Sequence, residues 1–135
     1  MNTTEESGFD WVRARKACSV SQVFENLRLS VKGDVETRQA LREKVEGLSY
    51  SESFQFSSKA DRFSAYVDFV RSRRAVIFVL YDDRIAVLDD NDKELFAATV
   101  TLNKEKQCVL VVKGEEMEEW HFRKKALELL FFSQS

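Results

Sequence analysis

Between residues 20 and 45, apolar side chains recur at Val20, Val23, Phe24, Leu27, Val31, Val35, Leu41 and Val45. Plotted at about 100° per residue they share one side of a helix. Ser19 followed by Gln22 has the S-x-x-Q form of a capping box at the start of that run. Gly33 sits inside the run without shifting its phase, so the pattern predicts one long helix with Gly47 as its C-terminal cap. A shorter basic helix is expected before it, Trp11 to Ala17, with Asp10 as N-cap and Phe9 placed to staple onto Ala14.

From Ser51 onward the apolar period falls to two. Phe54 and Phe56, then Phe63, Ala65, Val67 and Phe69, alternate with polar or smaller neighbours as strand residues do. Ala75 to Tyr81 is apolar throughout and predicts a central strand covered on both faces. Asp82-Asp83 forms a two-residue turn into a return strand, Arg84 to Leu88. ELFAATVTL and QCVLVV supply further strands around the polar turn Asn103 to Lys106, and KGEE turns the chain into a last helix. On that helix Met117, Trp120, Leu127, Leu130 and Phe131 form the expected sheet-facing side, while Phe122, Leu129 and Phe132 lie off it and need a second cover.

Short links between consecutive strands require antiparallel pairing. The order therefore predicts an α+β domain: an antiparallel meander sheet of about five or six strands, with two N-terminal helices and one C-terminal helix packed against it. Residues 1–8 are expected as a flexible N-terminus and residues 9–135 as a single domain.

Composition narrows what this domain can do. With 44% hydrophobic and 33% charged residues among 135, the chain is that of a globular protein. A formal charge of -2 supplies no global field to attract phosphate backbones, so specific nucleic-acid binding is not expected. The longest apolar run, Ala75 to Tyr81, is far shorter than the roughly 20 residues of a membrane helix. The opening MNTTEESGF has neither the basic start nor the apolar stretch of a secretion signal. Two distant cysteines, Cys18 and Cys108, then read as buried free thiols, and the expected location is cytoplasmic.

Candidate chemistry is sparse. His121, the single histidine, has the right intrinsic pKa for acid-base work, yet no nucleophile motif or second histidine accompanies it. Two cysteines and one histidine lack zinc-site spacing. In DDNDKE the carboxylates Asp90, Asp92 and Glu94 alternate as a calcium loop begins, but Leu95 stands where the bend needs glycine, so a solvated hairpin turn is expected. The four glycines are too scattered for a phosphate-cradling loop. Basic clusters at 13–16, 71–74 and 123–125 are balanced locally; Arg123 follows Glu119, and Glu128 follows Lys124, at i+4. No catalytic residue, metal ligand or cofactor is assigned.

One anomaly has two readings: the long helix projects past the sheet edge and leaves a charged pair wet, or its second half meets a partner chain. Asp34 and Arg38 fall within the apolar stripe of the long helix, where an ion pair in a dry core is costly. The leading reading is a non-enzymatic protein-interaction module, self-associating as a homodimer or binding a partner protein through its long helix or sheet. Asp34, Val35, Arg38, Leu41 and Val45 are its partner-binding residues. The alternative is a carrier of a small apolar ligand, or an enzyme, with an aromatic cavity between sheet and helices whose polar groups are Tyr66, Tyr81 and His121.

Overall fold

A computed structural model describes residues 8–41, 53–68 and 73–132. Two helices, α1 (Trp11–Ala17) and α2 (Val20–Leu41), lead into seven strands: β1 (Ser53–Lys59), β2 (Arg62–Asp68), β3 (Arg73–Leu80), β4 (Ile85–Leu88), β5 (Glu94–Leu102), β6 (Cys108–Val112) and β7 (Glu115–Met117). Helix α3 (Glu119–Phe132) follows. The strands form one sheet in sequence order, every neighbour antiparallel. The α+β architecture matches the expectation, but the sheet has seven strands where five or six were expected.

The missed strand is β7. It lies inside the KGEE turn, where Lys113 and Gly114 both take positive φ (51° and 83°). This is the geometry of a tight two-residue hairpin, and it pairs Val112 with Glu115 and Leu110 with Met117. A three-residue strand with two glutamates carries too little alternation to be seen as one. The Asp82-Asp83 turn forms as expected, closed by Tyr81 N–H donating to the Arg84 carbonyl at 2.9 Å. In DDNDKE, Asp89 Oδ1 accepts from the amides of Asn91 (2.8 Å) and Lys93 (3.0 Å), so that carboxylate caps the hairpin turn.

Helix α2 keeps its phase through Gly33, burying Val23, Phe24, Leu27, Val31 and Val35 against the sheet. Val45 and the predicted cap Gly47 lie outside the described residues, as do Phe69 and residues 1–7. At the start of α2 the Gln22 amide donates to Ser19 Oγ at 3.2 Å, but the Gln22 side chain turns forward to Asn26 and does not complete a capping box. Asp10 caps α1 through the Arg13 amide at 3.1 Å. Phe9, expected to staple onto Ala14, lies under Lys106 at 4.8 Å.

A connected series of phenylalanine rings runs through a core otherwise filled by aliphatic side chains. Phe24 meets Phe63 at 4.9 Å between ring centroids, Phe63 stacks on Phe78 at 4.7 Å, and Phe122 closes the series against Phe78 and Phe96 at 6.3 and 5.5 Å. Each buried phenylalanine contributes roughly 1.5–3 kcal/mol relative to exposure. Phe122 corrects the expected phase of α3: it is fully buried, while Trp120, expected on the sheet, is 54% exposed. Phe122, Ala126 and Leu130 recur at i+4 and form the centre of the buried side, with Leu127 and Phe131 beside them. Met117, expected on this helix, belongs to β7. On the back of the sheet, Val79, Ala86 and Leu88 form a small second cluster with Ile77 and Ala97, which covers the other face of the apolar strand.

The cysteines also depart from expectation. Cys18 and Cys108 form a disulfide across 90 residues of sequence, with Cα atoms 5.4 Å apart. The corner between α1 and α2 lies over the start of β6, which brings together residues whose sequence spacing gives no hint of it. The disulfide removes one of the two grounds for the expected cytoplasmic location, the free thiols. Among the described residues no helix is long and apolar enough to cross a membrane.

Candidate functional site

Helices α2 and α3 lie side by side on the same face of the sheet, α2 burying Phe24 against Phe63 and α3 burying Phe122 against Phe78 and Phe96. Two arginines tie the helices together. Arg123 of α3 donates to Asp34 of α2 at 2.8 Å and to Glu119 at 2.7 Å. Arg38 of α2 donates to the Phe131 carbonyl at 2.8 Å, with its guanidinium 4.6 Å from the Phe54 ring and 5.0 Å from the Phe132 ring. In the last described turn of α3, which has no basic residue of its own, Arg38 donates to the Phe131 carbonyl and Arg74 to the Leu129 carbonyl at 3.3 Å.

Above these ties the helices leave an open groove of about 350 Å³. Its α2 wall is Asp34, Thr37, Arg38 and Leu41; its α3 wall runs from Trp120 through Lys124 and Glu128 to Phe132, with Leu127 and Phe131 at the floor. At 1.5 Å per residue, Trp120 to Phe132 spans about 18 Å. Leu127 and Phe131 are buried, whereas Leu41, Trp120 and Phe132 are 49%, 54% and 59% exposed. The groove thus offers aromatic and aliphatic surface edged by Lys124 and Glu128, which pair with each other at 3.2 Å.

The structure divides the residues expected to meet a partner. Asp34, Arg38 and Leu41 come together in the groove. Val35 is 3% exposed in the protein's own core and has no surface to offer. Asp34 does not pair along its helix as expected but reaches across to Arg123, which explains a charge within the apolar stripe: it spans the seam between two helices.

Tyr66, Tyr81 and His121 are not gathered into one cavity. Tyr66 donates to Gln55 at 3.3 Å and lies 4.4 Å under Arg73, on the sheet face away from the helices. The Arg73 guanidinium is held protonated beyond its usual range, first by its hydrogen bond to Asp68 and then by that carboxylate's charge. Tyr66 pairs with Ala75, six residues before Tyr81, which is about 20 Å along the strand. Tyr81 is 40% exposed with Arg84 4.4 Å over its ring. His121 is exposed on α3, stacked on Trp120 at 5.3 Å. Among the described residues no cluster of His, Cys, Asp or Glu could hold a metal ion.

Trp120, Lys124, Glu128 and Phe132 are the site residues the sequence reading missed. The signal was their spacing of four, a ridge along one helix, but the apolar stripe assigned to the sheet took in Trp120 and left Phe132 among the residues that need a second cover. No protein family, curated protein or solved structure matches this chain.

Proposed function

We propose that the protein is a non-enzymatic interaction module that engages a partner protein through the groove between α2 and α3. The observation that carries this reading is the exposed aromatic surface there: Trp120 and Phe132, each more than half exposed, at the two ends of a groove with buried Leu127 and Phe131 at its floor. Aromatic side chains that lose water on association, surrounded by polar groups, are the usual anchors of protein interfaces. The ties through Arg38 and Arg123 support it further, because they fix the spacing of the two helices before any partner arrives, and a preformed surface loses little entropy on binding. The phenylalanines that would line a ligand cavity instead pack against one another. The polar groups expected to serve such a cavity stand on both sides of the sheet.

Oxidative footprinting of the two tryptophans tests the proposal. Trp120 lines the groove, and Trp11 on α1, 66% exposed, lies outside it and serves as an internal control. In cells that make the protein, Trp120 is expected to be protected relative to dilute purified protein while Trp11 is not. Equal labelling of both in the two settings contradicts the reading.

A further inference from the structure

The side of α3 that faces the groove carries four residues at intervals of four: Trp120, Lys124, Glu128 and Phe132. Residues four apart form a continuous ridge on a helix surface, and ridges of this kind pack between those of a second helix. Read in chain order, the ridge is aromatic, positive, negative, aromatic. Its centre of symmetry lies at position 126, between Lys124 and Glu128.

We infer that the occupant of the groove is a second copy of this chain, docked with its own α3 antiparallel to the first about a two-fold axis near position 126. The inference rests on the reading of the groove as an interaction surface. In that arrangement Trp120 lies against the partner copy's Phe132, and Lys124 lies against the partner copy's Glu128, each contact made twice. A parallel arrangement sets lysine on lysine and glutamate on glutamate and is rejected by charge alone. The closed two-fold is also the commonest form of self-association, because one self-complementary patch serves both copies.

The division of labour follows from exposure. Lys124 and Glu128, with side chains 57% and 55% exposed, already pair within α3. Exchanging that pair for its equivalent across the axis adds little affinity but fixes the direction of docking. Affinity comes from Trp120, Phe132 and Leu41, whose exposed apolar surface is covered when the helices meet. Arg123, which also lines the groove, is already paired with Asp34 across the seam and with Glu119 on its own helix, and it keeps those partners.

Sedimentation velocity on the full chain and on Lys124→Glu and Glu128→Lys tests this. The native ridge should give a concentration-dependent dimer. Lys124→Glu places only acids at the centre of its ridge and Glu128→Lys only bases, so each alone should dissociate at least about tenfold more readily, a difference of about 1.4 kcal/mol. Mixed in equal amounts, the two variants should recover a dimer, since an acidic ridge then meets a basic one. A merely structural role for either residue does not produce that recovery. A native chain that stays monomeric to about 100 μM overturns the second copy as occupant. The groove reading then stands or falls on Trp120 protection in cells. A native dimer that both variants form unchanged, or a mixture that fails to recover, overturns the antiparallel pairing. Circular dichroism of each variant shows whether it has folded, and Lys124→Gln with Glu128→Gln gives a neutral ridge for comparison if a reversed charge does not fold.

Discussion

Reduction of the Cys18–Cys108 disulfide gives the sharpest test of how the N-terminal helices are held. The bond closes a loop across 90 residues of sequence, and the chain-entropy estimate for such a loop is about 4.6 kcal/mol at 25 °C. Nothing in α1 is buried, so little else fixes that helix, whereas α2 is anchored independently by Val23, Phe24 and Leu27. Reduction is therefore expected to lower global stability by up to about 4–5 kcal/mol. With a urea slope of about 2 kcal/mol/M, typical for this size, the midpoint falls by roughly 2 M. The assay is urea unfolding followed by circular dichroism on native protein and on protein reduced and alkylated at both cysteines. Cys108, exposed, should alkylate before Cys18, which is 1% exposed. An unchanged midpoint, or two alkylatable thiols in protein never exposed to reductant, would show that the disulfide does not hold the N-terminal helices.

Two further substitutions test the seam between α2 and α3. Phe122→Ala is expected to cost about 3–5 kcal/mol in thermal or urea unfolding, as loss of a fully buried ring does, while Trp120→Ala in dilute protein should change stability by less than about 1 kcal/mol; the reverse order shows the phase of α3 to be wrong. Arg38→Ala leaves the Phe131 carbonyl without the donor it has at 2.8 Å and should cost about 2 kcal/mol, with Arg38→Lys recovering only part because an ammonium lacks the planar face that lies between two rings. An Arg38→Ala protein as stable as the native chain removes Arg38 from the seam.

Much of the architecture was written in local patterns. The phase of α2 across Gly33, the period-two strands and the Asp82-Asp83 turn depend on neighbours a few residues apart, and those survive folding unchanged. What required long-range contact was not legible. Asp34 looked like a partner of Arg38 because i and i+4 side chains meet on a helix, yet a longer reach to Arg123 wins since it also spans the gap to α3. The disulfide joins residues whose separation carries no information about their distance.

The site was half legible for a similar reason. Asp34 and Arg38 stood out because charge interrupts an apolar stripe, and Leu41 followed from the same stripe. Val35 followed too, but a stripe cannot say which of its members the protein's own sheet covers, and Val35 is covered. On α3, apolar residues occur on nearly every side, so hydrophobicity alone does not set its rotation. Phe122 decides it by fitting between Phe78 and Phe96, and that fit turns Trp120 and Phe132 outward.

Oxidation of Trp120 relative to Trp11, compared between protein in cells and dilute purified protein, bears most directly on the groove as an interaction surface. Both tryptophans are more than half exposed in the isolated chain, so they should label at rates within a few-fold of each other when dilute. In cells Trp120 should be protected by about tenfold or more while Trp11 is unchanged, the extent expected of a residue whose exposed surface is covered in most molecules. Trp120 labelling as fast as Trp11 in both settings contradicts the account.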